Sequence, residues 1–229
     1  MPHWSVVRTV LLDMDGTLLD LNFDNYFWQE LLPRRYAARR GLDLPTAKAL
    51  LAPRFAREAG TLNWYCLDYW KRELGLDLAR LKQECADLIA LRPHALTFLE
   101  ALGATRRQRV VVTNAHRRSL ALKLERTRLH AHVDAIVSAH DFGLPKESPA
   151  FWARLQARIP FDPARTLLID DSLAVLRSAR DCGISQLLAV RCPDSQRGVQ
   201  ETAEFTAVDD FRAIIPPTLT AGGPCIPRS

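Results

Sequence analysis

A short apolar run that ends in two acidic residues constrains the fold of this chain more than any other feature. The apolar residues 10–12 are followed by Asp13 and Asp15, and Gly16 comes directly after them. Side chains at positions i and i+2 of a strand point to the same side, so the run predicts a strand that aims two carboxylates at one spot. Carboxylates this close repel each other unless a bound cation or a proton on one of them compensates the charge.

Further apolar runs alternate with helical stretches along the chain. Together with the first run, they lie at residues 6–13, 109–113, 135–138, 166–170 and 185–190. Runs this apolar are typical of parallel strands that helices cover on both faces. The pattern predicts an α/β fold with a doubly wound parallel sheet.

Residues 14–108 separate the first two runs, which is far more than the dozen or so residues that a crossover between parallel strands needs. The pattern from residue 20 to residue 91 is helical. In its last part, leucines at 78, 81 and 88 and a cysteine at 85 recur at helical spacing. Asp77 is their candidate N-cap, and Gly75 can end the preceding helix. Pro33 and Pro53 are expected to break or kink the earlier helices.

These patterns predict how the chain is divided. We expect an α/β core at residues 1–19 and 92–215, an inserted α-helical cap domain at 20–91, and a flexible tail at 216–229. The tail is rich in proline and glycine and has little to bury.

Composition and charge exclude several classes of protein. The 229 residues are 48% hydrophobic and 25% charged, as in globular proteins. No apolar run approaches the ~20 residues of a membrane span, and the N-terminus lacks the layout of a signal peptide. The five cysteines are odd in number and form no C-x-x-C pair, which predicts free thiols in a reducing cytoplasm. We therefore expect a cytoplasmic protein without a membrane partner.

The net charge of +5 favours anionic partners, but the arginines are scattered and form no long basic tract. A small anionic substrate is therefore expected, and nucleic acid is not. The sequence leaves the oligomeric state open between a monomer and a homodimer.

Polar groups stand at the ends of three of the predicted strands and in the connection after a fourth. They are Asp13 and Asp15, then Thr113 and Asn114, then Lys146, and last Asp170, Asp171 and Ser172. In open α/β sheets the ligand lies beyond the carboxyl ends of the strands. We therefore expect all of these groups to face one crevice.

The same four segments, in this order, resemble the haloacid dehalogenase (HAD) superfamily. The likeness lies in Asp-x-Asp-Gly-Thr, a strand that ends in Thr-Asn, a lone lysine before a helix, and a strand that ends in an acidic pair. It spans nearly the whole predicted core. One departure is Val175, which stands where many members carry a further aspartate. The pair Asp170-Asp171 matches a recognised variant of that motif.

The resemblance implies a Mg²⁺-dependent hydrolase of phosphate monoesters that works through an aspartyl-phosphate. Asp13 is then the nucleophile, and Asp15 protonates the leaving oxygen and later activates water. Thr113 and the backbone N–H of Asn114 bind phosphoryl oxygens, while Lys146 neutralises the nucleophile and the phosphoryl group.

The magnesium ligands implied by the resemblance are all aspartates. They are Asp13, the backbone carbonyl of Asp15, Asp171, and Asp170 either as a further ligand or as a brace for the site.

The predicted cap contains many aromatic residues that either stack on a base or form the cap's own small core. They are Phe23, Tyr26, Phe27, Trp28, Trp64, Tyr65, Tyr69 and Trp70. Three histidines, His130, His132 and His140, lack companion ligands in the sequence and are expected at the surface.

Residues 20–33 and 143–147 resemble the purine-nucleotidase branch of the superfamily, which acts on GMP and IMP. That likeness implies a 5′-nucleotidase. The alternatives are a phosphatase for a sugar phosphate or phosphoglycolate, and an inactive phosphate-binding module of the same fold.

Overall fold

The computed structural model describes residues 1–217 of the chain. Within this part, six parallel strands form one sheet in the order β3-β2-β1-β4-β5-β6. The strands are β1 Thr9–Leu12, β2 Gln108–Thr113, β3 Ala135–Ser138, β4 Thr166–Asp170, β5 Gln186–Val190 and β6 Thr206–Val208. The predicted α/β fold with a parallel sheet is confirmed.

Helices cover both faces of this sheet because its central strand is apolar on both sides. From residue 95 onward the helices are α7 Ala95–Gly103, α8 Arg117–Thr127, α9 Pro149–Arg158 and α10 Leu173–Asp181. Val10 and Leu12 of β1 pack in one cluster with Phe98 of α7. Leu11 packs on the opposite face, in a cluster with Trp152 of α9 and Leu176 of α10.

A chain of short helices lies between β1 and β2, and we call residues 22–88 the helical insertion. Its helices are α1 Asn22–Tyr26, α2 Leu32–Arg40, α3 Leu44–Glu58, α4 Leu62–Tyr65, α5 Leu67–Leu74 and α6 Leu78–Gln83. A π-helical turn, Phe27–Leu31, joins α1 to α2, and a 3₁₀ turn, Ala86–Leu88, follows α6.

The helical insertion has a hydrophobic cluster of its own, with the fully buried Phe27, Trp70 and Leu74 among its members. Such a cluster is what a separate cap domain would require. The division into a core at 1–19 and 92–215, a cap at 20–91 and a tail stays a prediction. Of the tail predicted at 216–229, the residues from 218 onward lie outside the described part of the chain.

Local sequence signals fix some helix ends in the insertion and fail at others. Gly75 adopts a φ of 70° at the end of α5, and the Asp77 side chain accepts a hydrogen bond from the Arg80 N–H at the start of α6. Pro33 lies in the first turn of α2, where no intrahelical N–H is needed. Of the break or kink expected at Pro53, the break is wrong, because α3 continues from Leu44 to Glu58 with Pro53 inside it, and the kink stays a prediction.

The last strand, β6, is absent from the sequence prediction. It contains three residues and lies at the edge of the sheet, so its pattern is too short to recognise. Phe211 follows it and stacks on Phe98 with ring centroids 5.0 Å apart, which fastens this segment to α7. No helix within residues 1–217 is long and apolar enough to cross a bilayer.

Candidate active site

A cavity of about 250 Å³ lies at the carboxyl ends of the central strands, where the helical insertion meets the sheet. Strands β1 and β4 are neighbours there, although the chain visits β2 and β3 between them. Such a switch in strand order leaves a crevice between the loops of the two strands. All seven predicted site residues line this cavity: Asp13, Asp15, Thr113, Asn114, Lys146, Asp170 and Asp171.

The turn after β1 requires a glycine. Gly16 has a φ of +86°, and a Cβ atom built on it would lie 2.5 Å from Asp171 Oδ2. The turn is closed by the N–H groups of Leu18 and Leu19, which both donate to the Met14 carbonyl. Gly16 therefore lets the acidic end of β4 approach the turn closely.

Lys146 is almost fully buried, with 2% of its surface exposed. Its Nζ donates to Asp13 Oδ1 at 2.5 Å, to Asp170 Oδ2 at 2.7 Å and to the Val112 carbonyl at 3.1 Å. Burial alone would lower the pKa of Lys146, but the two carboxylates outweigh it and raise the pKa. The lysine therefore stays charged beside Asp13.

Three carboxylates are crowded around this lysine. Asp13, Asp170 and Asp171 each offer an oxygen, and the three oxygens lie within 4.8 Å of one another. When all are ionised, one ammonium leaves two negative charges uncompensated. Burial, followed by Asp13 and Asp170, raises the pKa of Asp171 well above its usual value. Asp13 Oδ2 is buried without a hydrogen-bond partner among the described residues. This set of oxygen donors fits a hard divalent cation.

The side chain of Asp15 contacts a different lysine. Its Oδ1 lies 2.6 Å from Nζ of Lys123, which is 1% exposed. The predicted strand geometry does not apply here, because β1 ends at Leu12 and the motif lies in the turn. Burial raises the pKa of Asp15 to about 6, against the opposing effect of Lys123. A carboxyl group with this pKa can hold a proton near neutral pH.

Thr113 and Asn114 end β2 at the cavity. The Thr113 hydroxyl accepts a hydrogen bond from the Ala115 N–H at 3.0 Å. The Asn114 side chain donates to Glu147 Oε2 at 2.9 Å and accepts from the Lys146 N–H at 2.9 Å. Asn114 therefore fixes the backbone of the segment that carries the buried lysine.

Sequence reasoning missed a buried network of charges at the same cavity. Lys123 Nζ donates to Asp24 Oδ2 at 2.6 Å, and Lys82 Nζ donates to Asp24 Oδ1 at 2.5 Å. Burial alone would raise the pKa of Asp24, but the two lysines outweigh it and lower the pKa far below its usual value. One signal was available, because Lys82 lies four residues after Leu78 and hence on the same helix face.

Tyr65 connects the helical insertion to the loop that carries Lys146. Its hydroxyl donates to Glu147 Oε1 at 2.7 Å. Burial and then the charge of Glu147 raise the pKa of Tyr65 well above its usual value, so the phenol stays protonated. Nothing in the sequence pairs two residues this far apart.

The expectation that His140 lacks companion ligands is wrong. Its ring lies 5.0 Å from that of His116, and the thiol of Cys66 is within reach of both. His140 is partly exposed. His116 Nδ1 accepts a hydrogen bond from the Arg118 N–H, and its Nε2 lies 3.3 Å from Asp68 of α5. Both nitrogens of His116 therefore have partners already. His130 is exposed, as expected, and His132 is partly exposed.

Most aromatic residues of the insertion pack against one another. Trp28 stacks on Trp64 with ring centroids 5.2 Å apart, and Phe55 and Trp70 meet this pair edge-on. Trp28, Trp64 and Tyr65 also line the cavity. The aromatic pattern thus reflects mainly an internal core, and three of its members reach the site.

The family follows from a comparison with protein-family models. A model of the haloacid dehalogenase-like hydrolases matches residues 7–183, which is more than half of the chain. The chain belongs to the haloacid dehalogenase-like hydrolases.

Among curated relatives, proteins of Escherichia coli K12 and Shigella flexneri, both named GMP/IMP nucleotidase YrfG, are each 45% identical to the chain over 213 residues. The match covers 93% of this chain and 96% of each relative. The resemblance predicted from the motifs, including its nucleotidase branch, is confirmed.

Solved structures of the same fold share little sequence. A HAD phosphatase from Thermococcus onnurineus aligns with a TM-score of 0.76 at 18% identity, over 91% of this chain and 96% of its own. The putative HAD-hydrolase YfnB from Bacillus subtilis, in a crystal form bound to magnesium, aligns with a TM-score of 0.62 at 20% identity over the same shares. At these identities the likeness shows the fold alone.

Proposed function

We propose that the chain is a Mg²⁺-dependent 5′-nucleotidase that hydrolyses the purine monophosphates GMP and IMP through an aspartyl-phosphate. The observation that carries the proposal is the buried contact between Asp13 and Lys146 beside two further carboxylates. The two relatives named GMP/IMP nucleotidase support the choice of substrate.

The first half of the reaction uses Asp13 and Asp15. Lys146 holds Oδ1 of Asp13, so the partnerless Oδ2 is available to attack phosphorus. As the new oxygen–phosphorus bond forms, the bond from phosphorus to the ribose oxygen breaks. Asp15 gives its proton to that leaving oxygen, and the nucleoside departs.

The second half reverses the role of Asp15. Its carboxylate now takes a proton from water, and the water oxygen attacks the phosphorus of the aspartyl-phosphate. The bond between phosphorus and Asp13 breaks, so inorganic phosphate leaves and both aspartates return to their starting state. Throughout, Thr113, the Asn114 N–H and the Lys146 ammonium bind the phosphoryl oxygens.

Asp13, Asp170 and Asp171 would hold the Mg²⁺ ion, together with the backbone carbonyl of Asp15. A bound cation supplies positive charge to the phosphoryl group and to the crowded carboxylates. Asp170 also accepts hydrogen bonds from Lys146 and from the Ser172 N–H, so it braces the lysine in addition.

We propose a cytoplasmic location for this enzyme. The four cysteines that the structure describes, Cys66, Cys85, Cys182 and Cys192, are free thiols. Free thiols persist in a reducing compartment.

A panel of phosphate esters tests the proposal. With the purified chain and Mg²⁺, we expect a higher kcat/KM for GMP and IMP than for CMP, UMP or hexose phosphates. A stacked purine offers more overlap than a pyrimidine or a sugar, although one stack is worth only about 1–3 kcal/mol. The preference is therefore expected to be graded.

The matched control is Asp13→Asn, because a neutral amide cannot attack phosphorus. It should abolish turnover of every ester while circular dichroism shows a folded protein. Equal kcat/KM values for GMP and a hexose phosphate would contradict the assignment as a nucleotidase, and the assignment as a phosphatase would stand. Turnover that survives in Asp13→Asn would contradict a mechanism through an aspartyl-phosphate.

A further inference from the structure

Two buried lysines and two aspartates form a continuous chain of charges next to the proposed nucleophile. The order is Asp15, Lys123, Asp24, Lys82, and each neighbouring pair is in contact at 2.5–2.6 Å. Lys123 and Lys82 are only 1% and 3% exposed. Of these four charged residues, the proposed reaction uses only Asp15.

Stability alone is a weak reason for such a network. Removing four charged groups from water costs free energy, and apolar residues of similar size often stabilise a buried site as well or better. Its position is more informative. One end of the network lies on the carboxyl group that has to exchange protons with the leaving oxygen and with water.

The contacts restrict where Lys123 can place its charge. Its bond to Asp24 is an aligned hydrogen bond, whereas its contact with Asp15 Oδ1 is a close ion pair without that alignment. Asp24 thus fixes the ammonium, and the ammonium draws the Asp15 carboxylate toward it. Oδ1 of Asp15 is buried against the Lys123 ammonium, while 19% of the Asp15 side chain stays exposed, so Oδ2 is the oxygen left to exchange a proton.

The far end of the network is fixed as firmly. Lys82 lies 4.6 Å and 4.5 Å from the ring centres of Phe23 and Phe27, which flank Asp24 on the chain. Two aromatic faces and one carboxylate therefore hold this ammonium. Asp24 has two ammonium partners and cannot turn away from Lys123 without leaving one of them unpaired.

We propose that Lys123 is a positioning residue that orients the carboxyl group of Asp15 for proton transfer, and that Asp24 and Lys82 hold Lys123 in place. This inference rests on the proposed function and adds three residues to it. Asp24 and Lys82 belong to the helical insertion, while Lys123 lies on α8 after β2. The alignment of Asp15 is therefore complete only when the insertion is docked on the sheet.

The test compares two leaving groups in Lys123→Met. The two esters are GMP and 4-nitrophenyl phosphate. The ribose oxygen of GMP needs a proton from Asp15 when it leaves, whereas 4-nitrophenolate leaves without one. A catalytic group displaced by about 1 Å can lose about 100-fold in rate. We expect kcat for GMP to fall about 100-fold, and the release of nitrophenolate in the first turnover to fall less than about tenfold.

Arg126→Gln is the matched control, since it removes a positive charge from the exposed face of the same helix. The Arg126 side chain is 47% exposed and pairs with Asp87. This variant should hydrolyse both esters like the unmodified chain. Asp15→Asn is the reference for complete loss of proton transfer and should show the same selective loss more strongly.

A second variant keeps the test decisive where Lys123→Met fails to fold. Asp24→Asn leaves Asp15 and Lys123 in place and removes only the charge that fixes the lysine. It should show a smaller loss of the same selective kind. Equal losses for both esters in the two variants would indicate a structural role only, and no loss in either would also overturn the inference. An unmodified chain that hydrolyses neither ester would instead contradict the proposed function.

Discussion

At Gly16, both the backbone conformation and the nearby site residues require a glycine. Its φ of +86° is strained for any residue with a Cβ, and that Cβ would also press on Asp171. Gly60 has a φ of +77° with open space around it, so a side chain placed there would be strained but would meet no clash. A left-handed conformation costs an alanine about 1–2 kcal/mol.

We expect Gly60→Ala to lower the free energy of unfolding by about that amount. Gly16→Ala should lower it further and should also weaken magnesium binding, because Asp171 has to move. Chemical denaturation, measured with and without Mg²⁺, separates the two effects. Equal losses in the two variants, with equal affinity for Mg²⁺, would contradict the close approach of Asp171.

The sequence located the residues of the site but not their partners. The motifs stand at strand ends, and the ends of parallel strands meet by topology, so Asp13, Thr113 and Asp170 could be placed in one crevice. Lys123, Asp24 and Lys82 lie on three different helices, and their meeting depends on how the insertion docks. No periodicity within one helix contains that information. The roles assigned to the site residues stay predictions.

At the scale of elements, a hydrogen bond at the cavity joins α4 to the loop that carries Lys146. Tyr65 donates it to Glu147, whose other oxygen accepts from Asn114. Tyr69 makes a comparable bond to Glu58, at 2.8 Å, within the helical insertion. Both tyrosines thus donate a hydrogen bond to a glutamate, but only the bond of Tyr65 reaches the loop that carries Lys146.

We expect Tyr65→Phe to lower the free energy of unfolding by about 1–3 kcal/mol, because a bond to a charged group is lost. It should also raise KM for GMP several-fold, since α4 lines the cavity. Tyr69→Phe should destabilise the chain without a change in KM. Thermal unfolding and steady-state kinetics give the two readouts. A KM that is unchanged in Tyr65→Phe would show that this contact does not shape the substrate site.

Element ends were predictable where a side chain or a glycine forms the cap. Asp77 and Gly75 mark the ends that the sequence predicted, and each acts within its own turn. The helix expected to include Leu78 and Leu88 instead ends at Gln83 and continues as a 3₁₀ turn. Apolar spacing alone did not reveal that interruption, because Cys85 and Ala86 are still buried and Leu88 still packs, partly buried, on the same cluster.

For the whole molecule, the sequence predicted the layers but not the order of the strands. Apolar runs that alternate with helices require a covered parallel sheet. The position of β4 beside β1 follows from the packing of complete helices and has no local signature. That neighbourhood is decisive for the site, because it brings Asp170 and Asp171 to the turn after β1.

Because of this neighbourhood, we expect the stability of the entire fold to depend on the proposed cation. Asp13, Asp170 and Asp171 repel one another in the metal-free protein, and burial raises the pKa of each. A ligand that binds only the folded state stabilises it by RT ln(1 + [L]/Kd), which is about 2.7 kcal/mol at a hundredfold excess over Kd. For a chain of this size each kcal/mol shifts Tm by about 2–4 °C.

We therefore expect chelation with EDTA to lower Tm by several degrees and to abolish hydrolysis of GMP, and we expect Mg²⁺ to restore both. Asp171→Asn removes one of the repelling charges and one of the proposed ligands. Its metal-free Tm should equal or exceed that of the unmodified metal-free chain, while the increase in Tm on addition of Mg²⁺ should largely disappear. The two effects have opposite signs, so general damage to the fold cannot mimic them. A chelated chain that keeps its Tm and its activity would contradict the metal site.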